Sequence, residues 1–323
     1  RCDVKPTLSC PEHSFIACFQ VYGDMQTNTN PSGPQSQHLK GIALTAFGVL
    51  ILTPDGLLTS LVSADVRTAL FWRGLFMGLA LTAFVLLRHG RRAGAAFRAL
   101  LTWPQLVIAL FFAASGIGFV VAIVTTSVAN TLFLVACAPL FSVILARVFL
   151  GQRTQLRTII IILVAMAGMG VIFAEGLGRG ELRGNLAAVG TALTWAAMVV
   201  VLGHAQIRDP APALALGGYI IAGVSFLVAP TIAMVALDFA WIAILGFFVL
   251  PVSFFLIGLG PQYISAPEVS LIMLLEAVLG PLWAWLFIAQ APSEMTILGG
   301  VIILATLAVH FAIGLYRDRT AGK

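Results

Sequence analysis

One hydrophobic sequence occurs twice in this chain, about half a chain apart, and it limits the possible folds more than any other feature. The first copy, SVANTLFLVACAPLFSVILARVFLGQRTQLRTIIIILVAMAGMGVIFA, runs from Ser127 to Ala174. The second, SAPEVSLIMLLEAVLGPLWAWLFIAQAPSEMTILGGVIILATLAVHFA, runs from Ser265 to Ala312. They align without a gap, pairing Ser127 with Ser265, Gln152 with Gln290, Thr158 with Thr296 and Phe173-Ala174 with Phe311-Ala312. Each copy is two apolar spans joined by a short polar connector. The opening spans of the two halves also match, LKGIALTAFGVL (39–50) against LRGNLAAVGTAL (182–193). Duplicated membrane proteins have a seam between their halves, and transporters place solute sites on such seams.

The surface of a soluble domain this large needs roughly a quarter of its residues charged; here only 10% are, and 60% are hydrophobic. Apolar spans near 41–62, 66–88, 104–125, 128–150, 156–174, 184–205, 211–235, 240–259, 267–289 and 295–316 are each close to the length a bilayer requires. The expected fold is therefore all-α and integral to the membrane, with about ten transmembrane helices in two inverted five-helix repeats. A β-barrel would show alternation, and these runs are continuous. Residues 1–38 are expected to be a disordered leader, with translation starting at Met25; repeats follow at 39–174 and 182–316, and a tail at 317–323. Cys2, Cys10 and Cys18 lie in the leader and Cys137 in an apolar span, without the spacing of a metal site.

Lysine and arginine set the orientation. With the N-terminus cytoplasmic, the inner side holds Lys40, Arg88, Arg91, Arg92, Arg98, Arg147, Arg153, Arg157, Arg208, Arg317, Arg319 and Lys323. The outer side holds Arg67, Arg73, Arg179 and Arg183. An odd number of spans per half inverts the second half, so equivalent connectors should face opposite sides. GQRTQLR is basic, and its counterpart AQAPSEM has no basic residue.

The segments FWRG (71–74), TTSVANTLFLVACAPLFSVILARVFLGQR, LIMLLEAVLGPLWAWLFIAQAPSE and TILGGVIILAT together resemble the EamA-like family of the drug/metabolite transporter superfamily, over nearly everything from Leu39 to Tyr316. The resemblance implies ten helices in inverted repeats, cytoplasmic termini and transport of small solutes, commonly amino-acid export, across a bacterial inner membrane. It also implies glutamate in the connectors after helices four and nine. Gln152 and Gln290 stand there instead, which bears on connector contacts.

Charges deep in lipid face protein or water and mark pathways. Glu276 falls near the bilayer midplane and suits a substrate ammonium, a coupling proton or a structural hydrogen bond. Arg73 suits a substrate carboxylate, a buried acid or snorkelling to the interface. Asp55 follows Pro54, where a helix break frees backbone groups or simply ends the helix; Asp55 and Arg73 are expected to pair. Asn130 and Glu268 occupy equivalent repeat positions on opposite faces, as gate groups or helix-start residues. His310 is a proton relay or an interhelical hydrogen-bonding group. Trp72, Trp195, Trp283 and Trp285 are cavity candidates, but Trp283 and Trp285 point to different faces. Pro139, Pro230, Pro251 and Pro281 should kink their spans. The small faces Gly74-x-x-x-Gly78, Gly116-x-Gly118 and Gly168-x-Gly170 suit close helix packing or an oligomer contact.

No nucleotide-binding loop, catalytic motif or cofactor signature occurs in the sequence. A membrane enzyme or lipid-handling protein would need more ionisable residues, and a sensor would need a soluble domain. The partners this leaves are a small-molecule solute, a coupling proton, the lipid bilayer and, through the small-residue faces, a second copy of the chain. Nucleic acid is not among them.

Overall fold

A bilayer offers the backbone no water, so each span must satisfy its own N–H and C=O groups as a helix. In a computed structural model, which describes residues 34–126, 128–152, 154–173, 182–289 and 293–321, the spans are helical. Met25, Cys2, Cys10, Cys18, Ser127, Arg153, Arg179, Gln290 and Lys323 lie outside the described residues. Among the described residues nine helices are long and apolar enough to cross a membrane, and Glu294–His310 is a shorter apolar one. Their outward faces are greasy: Leu87, Leu227, Leu286 and Phe248 all stand exposed, as lipid-facing residues do.

The helices are α1 (Pro34–Leu52), α2 (Asp55–Ser60), α3 (Val66–His89), α4 (Ala93–Arg98), α5 (Trp103–Thr125), α6 (Val128–Val135), α7 (Ala138–Leu150), α8 (Leu156–Phe173), α9 (Leu182–His204), α10 (Ala211–Val228), α11 (Ala236–Ile244), α12 (Leu250–Leu259), α13 (Ala266–Ile288) and α14 (Glu294–Ala321). Helix α1 begins at Pro34, so residues 34–38 belong to it and not to the expected leader. Proline is tolerated in a first helical turn, and His38 is anchored there by contact with Glu268. The start of α3 is capped by Asp65, which accepts the Arg67 N–H at 2.9 Å. The Arg67 side chain bonds the same carboxyl and holds it below its ordinary pKa.

Several spans are not continuous. The first breaks at Thr53-Pro54 into α1 and α2, and the fourth breaks at Ala136-Cys137 into α6 and α7. The eighth carries a π-helical turn, Leu245–Val249, between α11 and α12. Pro139 and Pro251 sit in the first turns of α7 and α12, and Pro281 is inside α13. Pro230 is different from its expected place inside a span, because α10 ends at Val228 with Ala229 extended. A residue before proline is pushed out of the helical region.

Helix packing comes in matched pairs across the two halves. The α1–α12 contact has its counterpart in α9–α5, and the α13–α1 contact in α9–α7. Span two (α3) meets span seven (α10), and span five (α8) meets span ten (α14). The last two contacts are made by glycines. A Cβ on Gly74 would lie 2.7 Å from the Gly218 carbonyl oxygen, and one on Gly218 would lie 2.9 Å from that of Gly74. Gly168 and Gly299 interlock similarly, at 3.1 and 2.5 Å from each other's carbonyl oxygens. The small-residue faces therefore serve packing within the chain. Gly218→Val should cost about 1–3 kcal/mol of overpacking and lower the thermal midpoint in detergent. Gly94→Ala, whose added Cβ meets nothing within 4 Å, should leave it unchanged.

Candidate functional site

The Thr53-Pro54 break turns the chain so that α2 presents Asp55 and, one turn later, Thr59. Arg73 reaches them from α3. Its Nη2 lies 2.9 Å from Asp55 Oδ2, and its Nη1 donates to Thr59 Oγ1 at 3.0 Å. Thr59 in turn donates to Asp55 Oδ1 at 3.1 Å, which closes a three-membered ring. The ion pair expected from sequence is formed, and its side chains are 22% and 17% exposed. Arg73 is held by Asp55 and Thr59 and does not snorkel to the interface.

Trp283 of α13 crosses to the same break and donates from Nε1 to Thr53 Oγ1 at 2.8 Å. Thr53 is 2% exposed and gives its own proton to the Leu50 carbonyl at 2.8 Å. Trp285 points outward and is 51% exposed, so the two tryptophans take different faces. Trp195 is buried in the core against Phe254. Trp72 sits among Phe71, Phe76 and Phe239 and donates to the Ile232 carbonyl.

Glu276 shares a helical stripe with Gly280 and Trp283. It is partly buried, lies within electrostatic reach of both Asp55 and Arg73, and accepts no hydrogen bond from any described residue. A Cβ placed on Gly280, one turn farther along, meets nothing within 4 Å. A mid-span carboxylate therefore stands near an ion pair, with open space one turn farther along its helix at Gly280.

The other sequence candidates form two clusters at opposite ends of the helices. Glu268 completes a capping box at the start of α13, accepting the Ser265 N–H at 2.9 Å and its hydroxyl at 2.8 Å. Its other oxygen, Oε1, lies 3.3 Å from His38 Nε2 and 3.7 Å from His310 Nε2. The His310 carbonyl accepts from Arg157 at 2.6 Å. Spans one, five, nine and ten meet here, on the face that also carries Lys40, Arg88, Arg91, Arg92 and Arg147. At the opposite face Asn130 donates to Thr126 at 3.4 Å, and Thr126 donates to Asn185 Oδ1 at 3.1 Å. Each cluster ties the start of span four or nine to the first span of the other half. Gln152 is exposed; its N–H closes the end of α7 on the Ala146 carbonyl beside Gly151, whose φ is +63°.

Sequence reasoning missed Thr53 and Thr59, although the Asp55–Thr59 spacing of four is a readable signal. It also missed Asp238, 4% exposed, which accepts the Ser63 N–H at 3.1 Å and hydroxyl at 2.8 Å and ties the α2–α3 connector to span eight. Its signal is an acid in the apolar run ALDFAW.

Removing one partner from the Asp55–Arg73 pair should cost about 1.5–3 kcal/mol, the range for hydrogen bonds to charged groups. Asp55→Asn and Arg73→Gln should therefore each lower the detergent thermal midpoint. The double exchange Asp55→Arg with Arg73→Asp should recover part of the loss; no recovery would count against the pair as a stabilising contact.

With this geometry in place, comparison with known proteins adds a family. The model of the EamA-like transporter family matches residues 37–174 and again 182–312. No curated protein matches the chain. A solved crystal structure of a protein is similar, with a TM-score of 0.72 at 20% sequence identity over 86% of this chain and 97% of its own. That likeness bears on the fold alone.

Proposed function

This chain belongs to the EamA-like transporter family, and we propose that it is a secondary transporter of the bacterial inner membrane, exporting amino acids or related small metabolites. Its two five-helix repeats are inverted, and a passage between them opens alternately to each side. The matched contact pairs, α1–α12 with α9–α5, support a pseudo-twofold relation between the halves, and five spans per half would put its axis in the membrane plane. The excess of lysine and arginine on the face of the Glu268 cluster supports a cytoplasmic position for that face and both termini, with the Asp55 face outside.

The observation that carries this reading is Glu276. A carboxylate that deep in a membrane protein is costly unless something pairs with it. Here no described residue donates to it, and open space adjoins it at Gly280. Solute or a proton supplies the missing partner. A zwitterionic amino acid fits the charges on offer: its ammonium on Glu276, and its carboxylate on Arg73, whose planar fork also holds Asp55. Asp55 and Thr59 then position the guanidinium, and Trp283 fixes the broken end of α1 against α13. Nothing in this arrangement requires a cofactor.

Export of radiolabelled amino acids from proteoliposomes tests the assignment. Glu276→Gln should lower the initial rate about 10- to 100-fold, the equivalent of losing about 1.5–3 kcal/mol of charge-assisted bonding. Glu276→Asp should retain part of the rate. Unchanged transport by the glutamine variant, in a protein that elutes as the parent does from a sizing column, would remove Glu276 from the mechanism.

A further inference from the structure

On the face that carries the Glu268 cluster, a cavity of about 260 Å³ lies between the ends of α7 and α9 and the connector that leads into α13. Its polar lining is Gln152, His204, Gln206, Gln262, Tyr263 and Ser265, and Lys40 rests over the Tyr263 ring at 4.9 Å. It is smaller than the roughly 300 Å³ at which pockets for drug-sized ligands begin, so it suits a small polar solute. Ala146 of α7 and Ala266 of α13 also line it.

One helical turn deeper on the same two faces stand Ser142 and Ser270. Their hydroxyl oxygens are 2.9 Å apart, at 0% and 1% exposure. Farther into the membrane the partners of the two spans change. Helix α7 packs on α13, whereas α6, the other half of the same span, leans on α8, α9 and α5. The repeat alignment gives an independent comparison, because it pairs Ser142 with Gly280 and Leu132 with Ser270. The mate of the serine contact is thus Leu132 facing Gly280, at the other face. There Gly280 meets nothing within 4 Å. The same joint is closed at one end of the seam and open at the other.

We propose that the Ser142–Ser270 contact is the cytoplasmic gate of the passage, and that the polar cavity behind it is the vestibule where solute from the cytoplasm waits. The proposal rests on the alternating-access reading above and adds its closing point. Paired serines suit a joint that must part. Each hydroxyl satisfies the other while the helices touch and turns to water when they separate, and such bonds within membranes are worth only about 0.6 kcal/mol on average.

The test is a chemical lock with a reporter on the far side. Cys2, Cys10, Cys18 and Cys137 are first changed to serine, and Gly280→Cys is added as the reporter. One protein carries the reporter alone. A second also carries Ser142→Cys and Ser270→Cys, joined by mild oxidation. A membrane-impermeant maleimide is applied to right-side-out and to inside-out vesicles, and modification at position 280 is read by mass spectrometry. Both proteins should label from the outer side, which also shows that the locked form is folded. From the cytoplasmic side the reporter protein should label and the locked protein should not. Cytoplasmic labelling that persists in the locked protein overturns the gate while leaving the passage intact. Absence of cytoplasmic labelling in both proteins overturns alternating access, and the gate with it. Absence of outer labelling in both means that Gly280 faces lipid, which sinks both. Failure of the two cysteines to cross-link means that the helices do not meet there.

Discussion

The need to satisfy backbone polar groups without water governs this structure more than any single contact. A continuous helix meets it automatically; a broken one does not. Each break here comes with side chains that cover it. At Thr53-Pro54 the Thr53 hydroxyl takes the Leu50 carbonyl, and Trp283 takes the hydroxyl. At Ala136-Cys137 the thiol lies 3.7 Å from the Phe133 carbonyl. After the π turn, Ser253 donates to Val249 at 2.6 Å. The break near Glu276 does more than survive. It releases Asp55 from the line of α1 and swings it to Arg73, so the cost of interrupting a helix is offset by an ion pair that a straight helix could not make.

Much of this was legible because the bilayer simplifies the code. Span positions follow from hydropathy, and the depth of Glu276 follows from counting residues along a helix. The divergence of Trp283 and Trp285 follows from a period of 3.6 residues, and the Asp55–Arg73 pair from adjacent spans of opposite charge. What hydropathy could not resolve was backbone continuity. ACAPL is apolar on both sides of its break, so the interruption in span four leaves no trace in a sum over residues. The leader boundary was misplaced for a related reason: polar composition marked residues 34–38 as tail, yet tertiary contact to Glu268 draws His38 into a helix. Asp238 and Ser63 are 175 residues apart, and no local pattern announces a partner at that range.

The two polar clusters at the ends of the seam show one repeat position used with different chemistry in the two halves. Glu268 and Asn130 hold the same repeat position, and each fixes the start of its span to the first span of the other half. On one face this is done with a carboxylate between two imidazoles, on the other with an amide, a hydroxyl and a second amide. The contacts are equivalent in place, but hydrogen bonds to a carboxylate are about twice as strong as neutral ones. The Glu268 end is therefore the more tightly tied.

That imbalance extends to the proposed solute site. In the register that pairs Leu39 with Leu182, Asp55 falls on Met198, and the copy alignment sets Glu276 on Ala138. Met198 and Ala138 are 2% and 5% exposed and belong to the apolar core. The Asp55 and Glu276 carboxylates thus have no acidic counterpart at the equivalent positions of the other half, where the side chains are closely packed hydrocarbon. A perfectly symmetric pair of repeats would give two openings of equal energy, and nothing in the fold would favour either. In the proposed mechanism, opening toward Asp55, Arg73 and Glu276 wets groups that water stabilises. The opposite opening would part the Ser142–Ser270 joint and the bonds around Glu268 without exposing a second such set of charges. In the proposed cycle this favours the outward-facing arrangement before solute binds. A solute that neutralises Glu276 and Arg73 removes the reason to keep that side wet, and this is the differential binding that any ligand-driven shift between two states requires.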